Sequence, residues 1–316
     1  MFAGMEHRPP SIGKPVTSPG GNVRRIMDRQ WRRAMTADPP PLKQLRATAG
    51  DGVTLAIQTW GNPDGPEILF LHGYSQCHLA FRRQMDDPAL TAHFRMVSYD
   101  LRGHGASDKP EDPARYRDDR IWADDLAAVL DAAGLKKPVL VAWSYAGRVV
   151  SDYVSAHGQN RLAGINYVSA LTNTQRQFWG TELRYTVDMA SSDMATALRA
   201  TRKFVHGCFA SRPAGDELEL SLSYVMLAPA PVRRLVLARS RNHGEILPQL
   251  RLPVLVTHGG MDRIIRPAMG EYTAAKVPHA RLSLYGGVGH SPFFEDSERF
   301  NRELAAFVRE ANEGAL

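Results

Sequence analysis

Two cysteines, Cys77 and Cys208, are all that this 316-residue chain contains, and they stand far apart. That is too few for a disulfide framework, and neither sits in a spacing that holds zinc or runs thiol exchange. No apolar run approaches the roughly 18 residues that a membrane-crossing helix needs. The first residues, Met1 to His7, lack the apolar centre of a signal peptide. The expectation is a soluble, cytoplasmic protein with free thiols and no membrane span. Eleven histidines are present, yet no two are four apart as on a metal-binding helix, and His206-Gly-Cys208 alone is not a metal site. Gly103-His-Gly105 lacks the third glycine and the following helix of a dinucleotide fingerprint. No metal and no cofactor is therefore expected.

Charge is uneven rather than abundant. The net charge is +6, and residues 1–50 account for all of it, with nine Lys/Arg against Glu6, Asp28 and Asp38. The remaining chain is balanced; a basic arm can bind nucleic acid or anionic lipid, but this one is rich in proline and glycine at its start, and no nucleic-acid partner is expected. Residues 1–41 read as a basic N-terminal extension, solvated or loosely docked, with one short helical stretch at Val23 to Met35.

What is present is ordinary in bulk and specific in pattern. Apolar content of 43% and charged content of 23% fit a soluble globular protein, and the length suits one large α/β domain. Leu42–Thr48 and Val53–Trp60 read as strands joined by the hairpin signal Gly50-Asp-Gly52. Glu67–Leu71, Phe94–Tyr99, Val139–Ala142, Leu162–Ala170, Pro253–His258 and Arg281–Tyr285 are further short apolar strands. Amphipathic helices are expected at Ile121–Ala133, after residue 144, and at Asp296–Ala311. Strands alternating with helices imply a mostly parallel sheet. From 171 to 246 the rhythm gives way to expected helices at Gln175–Met189, Ser192–Phe204, Glu217–Met226 and Val232–Arg239. The domain reading is thus a core of 42–170 and 247–316, with 171–246 as a helical cap over one end of the sheet.

The stretch that organises the chain is Pro138-Val-Leu-Val-Ala-Trp-Ser-Tyr-Ala-Gly147. A buried strand runs into Ser144, and apolar residues at 149, 150, 153 and 154 then follow a helical spacing. Ser144 falls on the corner, where a tight turn lifts a hydroxyl clear of the sheet. Such a turn crowds the backbone two residues either side, and Ala142 and Ala146 are both small. The common pattern has glycine there; alanine is a departure.

Ser144, Asp262 and His290 each follow the end of a strand, and loops after parallel strands gather along one edge. With Leu71-His-Gly-Tyr74, Asp100-Leu-Arg-Gly-His-Gly-Ala-Ser107, His258-Gly-Gly-Met-Asp262 and Gly289-His290-Ser-Pro, this order resembles the α/β-hydrolase superfamily over residues 42–312. It is most similar to the capped esterase, non-haem haloperoxidase (perhydrolase) and epoxide-hydrolase branch. The resemblance implies the α/β-hydrolase fold, a mostly parallel central sheet flanked by helices with a cap inserted between strands. It implies Ser144 as nucleophile, His290 as general base and acid, and Asp262 as the group that orients His290. The backbone N–H groups of Tyr74 and Tyr145 would form an oxyanion hole.

A serine hydroxyl needs a base within hydrogen-bond reach, and the glycines at 286, 287 and 289 let His290 approach. The loop Ser169–Asn173 holds no carboxylate, which favours Asp262 as the acid. His72, His104 and His258 match turn positions of the family and read as structural. Trp143, Phe178, Trp179, Met189, Phe204 and Met226 are candidates for the pocket wall. Serine at 144 argues against epoxide hydrolase and dehalogenase chemistry, which use aspartate there. The leading reading is a carboxylesterase acting on a small or medium apolar ester, lactone or thioester. Perhydrolysis, carbon–carbon bond hydrolysis and a ligand receptor with negligible turnover stay open. The expected partner is a small ester-like molecule, with a homodimer left open and no nucleic acid.

Overall fold

The short apolar runs assemble into one eight-stranded sheet in the computed structural model, which describes residues 43–213, 215–239 and 244–313. The N-terminal extension and its expected helix lie outside the described residues. The strands are β1 (Lys43–Thr48), β2 (Thr54–Gly61), β3 (Glu67–Leu71), β4 (Arg95–Tyr99), β5 (Val139–Trp143), β6 (Gly164–Val168), β7 (Val254–Gly259) and β8 (Arg281–Tyr285). Their spatial order is β1-β2-β4-β3-β5-β6-β7-β8. β2 runs antiparallel to β1 and β4, and every other neighbouring pair is parallel.

Burial follows composition. Every residue of β5, β6 and β7 is buried, as expected of strands covered on both faces. β8, at the edge, buries only Tyr285. Seven helices of eight or more residues occur among the described residues. Two precede β6: α1 (Asp119–Ala132) and α2 (Ala146–His157), which pack on each other. α1 starts where the Asp118 carboxylate accepts the Arg120 N–H at 2.8 Å, an N-terminal cap. Three lie between β6 and β7: α3 (Met194–Gly207), α4 (Asp216–Val225) and α5 (Ala230–Leu237). α6 (Ala268–Lys276) follows β7, and α7 (Ser297–Glu313) closes the chain with Phe300, Leu304, Phe307 and Val308 buried.

One expected element is corrected. Gln175–Met189 is not a single helix but two 3-10 turns, Arg176–Phe178 and Thr181–Arg184, and a short helix, Tyr185–Met189. Long-range pairing breaks it: the Gly180 N–H donates to the Ile264 carbonyl at 2.9 Å and the Glu182 N–H to that of Arg263 at 2.9 Å. Trp179 bridges Ile265 in the same antiparallel fashion. Local apolar spacing carries no sign of such a partner.

The order of the strands decides where chemistry can occur. From β3 the chain moves to β4 on one side, then returns to β5 on the other. The crevice at this reversal, outside the carboxyl ends of β3 and β5, is where open α/β sheets bind ligands. Leu71↔Ala142 pairing brings the loop at His72-Gly73-Tyr74 beside Trp143-Ser144-Tyr145.

Beneath that crevice His72 is fully buried, its Nε2 accepting the Leu101 N–H at 2.9 Å while its Nδ1 donates to the Gly73 carbonyl at 2.8 Å. Accepting the Leu101 N–H needs the neutral ring, because both nitrogens donate in the charged one. Burial lowers its pKa from 6.5 to about 4, against the pull of Asp100. The folded value lies below the unfolded one, so this contribution is complete above pH 6.5 and is lost as pH falls towards 4. Denaturant titrations at pH 7 and pH 4 should differ by about 3 kcal/mol more in the native protein than in His72→Asn. An equal pH dependence in the two would remove His72 from the acid response.

Candidate active site

Ser144 stands at the C-terminal end of β5 with φ of 56°, the left-handed region that costs a non-glycine residue on the order of 1–3 kcal/mol. The neighbours hold it there. Its N–H donates to the Val168 carbonyl at 3.0 Å, and its own carbonyl accepts from Leu171 at 2.8 Å and Gly147 at 3.1 Å. The corner thereby aims the side chain away from the sheet while α2 begins behind it. Gly73 packs directly on this side chain: a Cβ there would lie 3.0 Å from the Ser144 Cβ and 3.4 Å from Oγ. The following residue, Tyr74, and Tyr145 both have backbone N–H groups with no protein acceptor among the described residues.

Asp262 and His290 meet. His290 Nδ1 lies 2.7 Å from Asp262 Oδ2, and both side chains are essentially buried. The other carboxylate oxygen, Oδ1, accepts the N–H groups of Ile264 at 2.8 Å and Ile265 at 2.9 Å. Burial opposes the charge on Asp262, but His290 and His258 beside it win and hold the carboxyl well below the usual range. An ionised acid fixes a proton on His290 Nδ1, which leaves Nε2 free to accept. That Nε2 is buried and has no hydrogen-bond partner among the described residues. The approach of the two loops depends on Gly259, where a Cβ would fall 1.7 Å from the Gly289 carbonyl oxygen. Trp143 donates its indole N–H to the His290 carbonyl at 2.9 Å, coupling the strand of Ser144 to the loop of His290.

The model of the alpha/beta hydrolase family matches residues 68–303. The chain belongs to the alpha/beta hydrolase family. It is 37% identical to a Burkholderia cenocepacia protein solved as a candidate aryl esterase, with a TM-score of 0.81 over 86% of this chain and 100% of that one. An esterase from Rhodococcus sp. ECU1013 is 33% identical, with a TM-score of 0.78 over 85% of this chain and 98% of its own. A bifunctional esterase/perhydrolase of Acinetobacter calcoaceticus is 28% identical over 83% of this chain and 98% of that protein.

In this hydrolase the residues expected to line a pocket divide. Trp143 is buried beside His290, and Phe204 of α3 sets its edge against the Tyr74 ring. Met189 and Met226 gather instead round the buried Arg233, which donates to the Met189 carbonyl at 2.7 Å and approaches the Met226 sulfur at 3.6 Å. Phe178 packs on Tyr272, and Trp179 is 40% exposed. Both brace the acid loop through their backbone, Phe178 by accepting the Arg266 N–H at 2.9 Å.

Three residues stabilise the site without any motif to announce them. Glu295 accepts the N–H of Gly289 at 2.8 Å, of Ala210 at 2.7 Å and of Ser211 at 3.1 Å, tying the His290 loop to the helical insertion. Arg263 donates to the Phe209 carbonyl at 3.0 Å across the same seam. Arg239, after α5, reaches the Tyr145 hydroxyl at 3.0 Å, Asp119 at 2.6 Å and Asp152 at 2.5 Å. Their common trait is a polar head bonding backbone or buried acid across long sequence separations, which a linear reading does not reveal. Glu295→Ala strands three N–H donors, so about 2–3 kcal/mol of stability should be lost, and kcat should fall roughly tenfold with KM little changed. A kcat equal to that of the native protein would show that the brace does not position His290.

Among the described residues, Cys77, His78 and Asp100 bring three potential metal-ligand atoms within 4.8 Å of one another. Asp100 is already engaged, by the His78 N–H at 2.8 Å, its Nδ1 at 3.0 Å and the Ala106 N–H at 2.8 Å. Burial also pushes the Cys77 thiol up, away from the thiolate that a metal would bind. No single helix among the described residues is long and apolar enough to cross a membrane.

Proposed function

We propose that the protein is a serine esterase that cleaves small or medium, largely apolar carboxylic esters through an acyl-enzyme. The reading rests above all on the 2.7 Å contact between Asp262 and His290 at the sheet edge where the Ser144 corner stands. In the first step Ser144 Oγ attacks the ester carbonyl as its proton passes to His290 Nε2. The tetrahedral oxyanion is held by the N–H groups of Tyr74 and Tyr145, whose freedom from protein acceptors suits them to the task. Collapse expels the alcohol, which takes the proton from His290. Water then repeats the sequence on the acyl group, releasing the acid and restoring Ser144.

The helical insertion acts as a cap in this scheme. Its Thr186 carbonyl accepts from the Tyr74 hydroxyl at 3.5 Å, and its Cys208 carbonyl accepts the His290 N–H at 3.0 Å. The apolar side chain of Phe204 at the same seam favours an apolar substrate. Turnover of p-nitrophenyl acetate and butyrate, run beside a peracid-formation assay and a carbon–carbon bond substrate, tests the assignment. Many turnovers per enzyme molecule on the esters are expected, with faster release of acid than of peracid. Ester turnover at the buffer rate would overturn the assignment and favour a ligand receptor built on the same fold.

A further inference from the structure

We infer that His258 is a positioning residue of this site, a second imidazole that holds Asp262 so that His290 keeps its proton on Nδ1. His258 is the fifth residue of β7 and is fully buried. Its Nε2 donates to the Ile265 carbonyl at 3.1 Å and lies 3.2 Å from Asp262 Oδ2. A carbonyl and an ionised carboxylate can only accept, so the ring carries its proton on Nε2. On its other side the ring meets α6. A Cβ at Gly270 would fall 2.8 Å from His258 Nδ1 and 3.0 Å from Cγ, so a bare glycine there lets the ring sit against the acid loop.

Asp262 is thereby held from two directions. Ile265 supplies one of the two N–H groups on Oδ1, at 2.9 Å, so a bond to its carbonyl fixes the turn that grips the carboxylate. Oδ2, the oxygen 2.7 Å from His290 Nδ1, meets the N–H edge of His258 as well. With donors at both oxygens the carboxylate cannot turn without giving up contacts. His72 and His104, also buried, bond only to backbone among the described residues, at Leu101, Gly73 and Arg102. The difference matters chemically. A neutral His290 offers a lone pair to Ser144 only while its proton stays on Nδ1, and a carboxylate free to swing no longer enforces that tautomer.

This role for His258 rests on the esterase reading for what His290 does, but its first readout needs no substrate. NMR spectra of isotope-labelled histidine report which ring nitrogen carries the proton. Native His290 should hold it on Nδ1, and Asp262→Asn supplies the opposite limit. His258→Leu keeps the bulk and removes the donor. Both tautomers of His290 should then be present, and kcat should fall about tenfold with KM within about twofold of native. His258→Gln places an amide N–H near the position of Nε2 and should restore the Nδ1 tautomer, with kcat within about threefold of native. Gly270→Ala removes no polar group and only crowds the ring, and it gives the same tautomer readout where the leucine variant fails to fold. An unmixed Nδ1 tautomer in both His258→Leu and Gly270→Ala would overturn the proposal even if kcat fell, and so would a glutamine variant no better than leucine. A tautomer shift in a protein that turns over no ester would keep the positioning role and sink the esterase. Ester turnover with a tautomer indifferent to His258 would do the reverse.

Discussion

Ser144→Ala should reduce ester turnover by at least about 10⁵-fold, leaving only the small acceleration that the oxyanion donors and substrate binding supply, while the protein melts as before. The hydroxyl is the only group the substitution removes, and the backbone bonds that hold the corner, to Val168, Gly147 and Leu171, are untouched. Ser144→Gly separates catalysis from strain. It should be equally inactive, yet more stable by about 1 kcal/mol, because glycine accepts a φ of 56° without the crowding that a Cβ imposes. Thermal melts of the three proteins, run beside p-nitrophenyl acetate assays, give both answers. Residual turnover of a few per cent in the alanine variant would mean that another group attacks the ester. A glycine variant less stable than the native protein would mean that the corner carries no strain.

Asp262→Asn should lower kcat by about 10³–10⁴-fold and leave the fold intact. The reason lies in the two faces of the carboxylate. Oδ1 accepts from Ile264 and Ile265, and an asparagine carbonyl can keep those bonds. The amide NH₂ then points at His290 Nδ1 and at His258 Nε2, which lies 3.2 Å from Oδ2 in the native protein. A donor facing Nδ1 forces the proton to Nε2, and the base is lost. Steady-state kinetics with circular dichroism on the same samples would check this, and a loss smaller than tenfold would remove Asp262 from the mechanism. Because the native carboxyl is held well below its ordinary range, Asp262 stays ionised through mildly acid pH. The acid limb of the native pH–rate profile should therefore not follow its titration.

Much of this was legible in the residues themselves. Strands buried on both faces announce themselves as short unbroken apolar runs, and Val139–Trp143 needed nothing more than that. Ser144, Asp262 and His290 were readable because each follows such a run, and parallel strands put their ends on one edge. His72 was readable as structural only through its match to a turn position of the family. What escaped depends on partners distant in sequence. The stretch from Gln175 to Met189 has helical spacing, but backbone pairing with residues 263–265 outweighs it. Met189 and Met226 were expected as pocket walls because they are large and apolar; no sequence pattern marks the buried Arg233 that bonds the Met189 carbonyl and approaches the Met226 sulfur. Glu295 bonds only to backbone, and Arg239 to acids and a hydroxyl far away in the chain. Neither trait leaves a mark on a sequence.

A covalent acyl group on the corner serine is visible to mass spectrometry. The protein would be mixed with p-nitrophenyl acetate, quenched in acid within the burst, and mapped by peptide digestion. One added acetyl group is expected, carried by the peptide at Ser144, lost with time and absent from Ser144→Ala. An acetyl group elsewhere, or product release with no adduct on the native protein at any quench time, would contradict it.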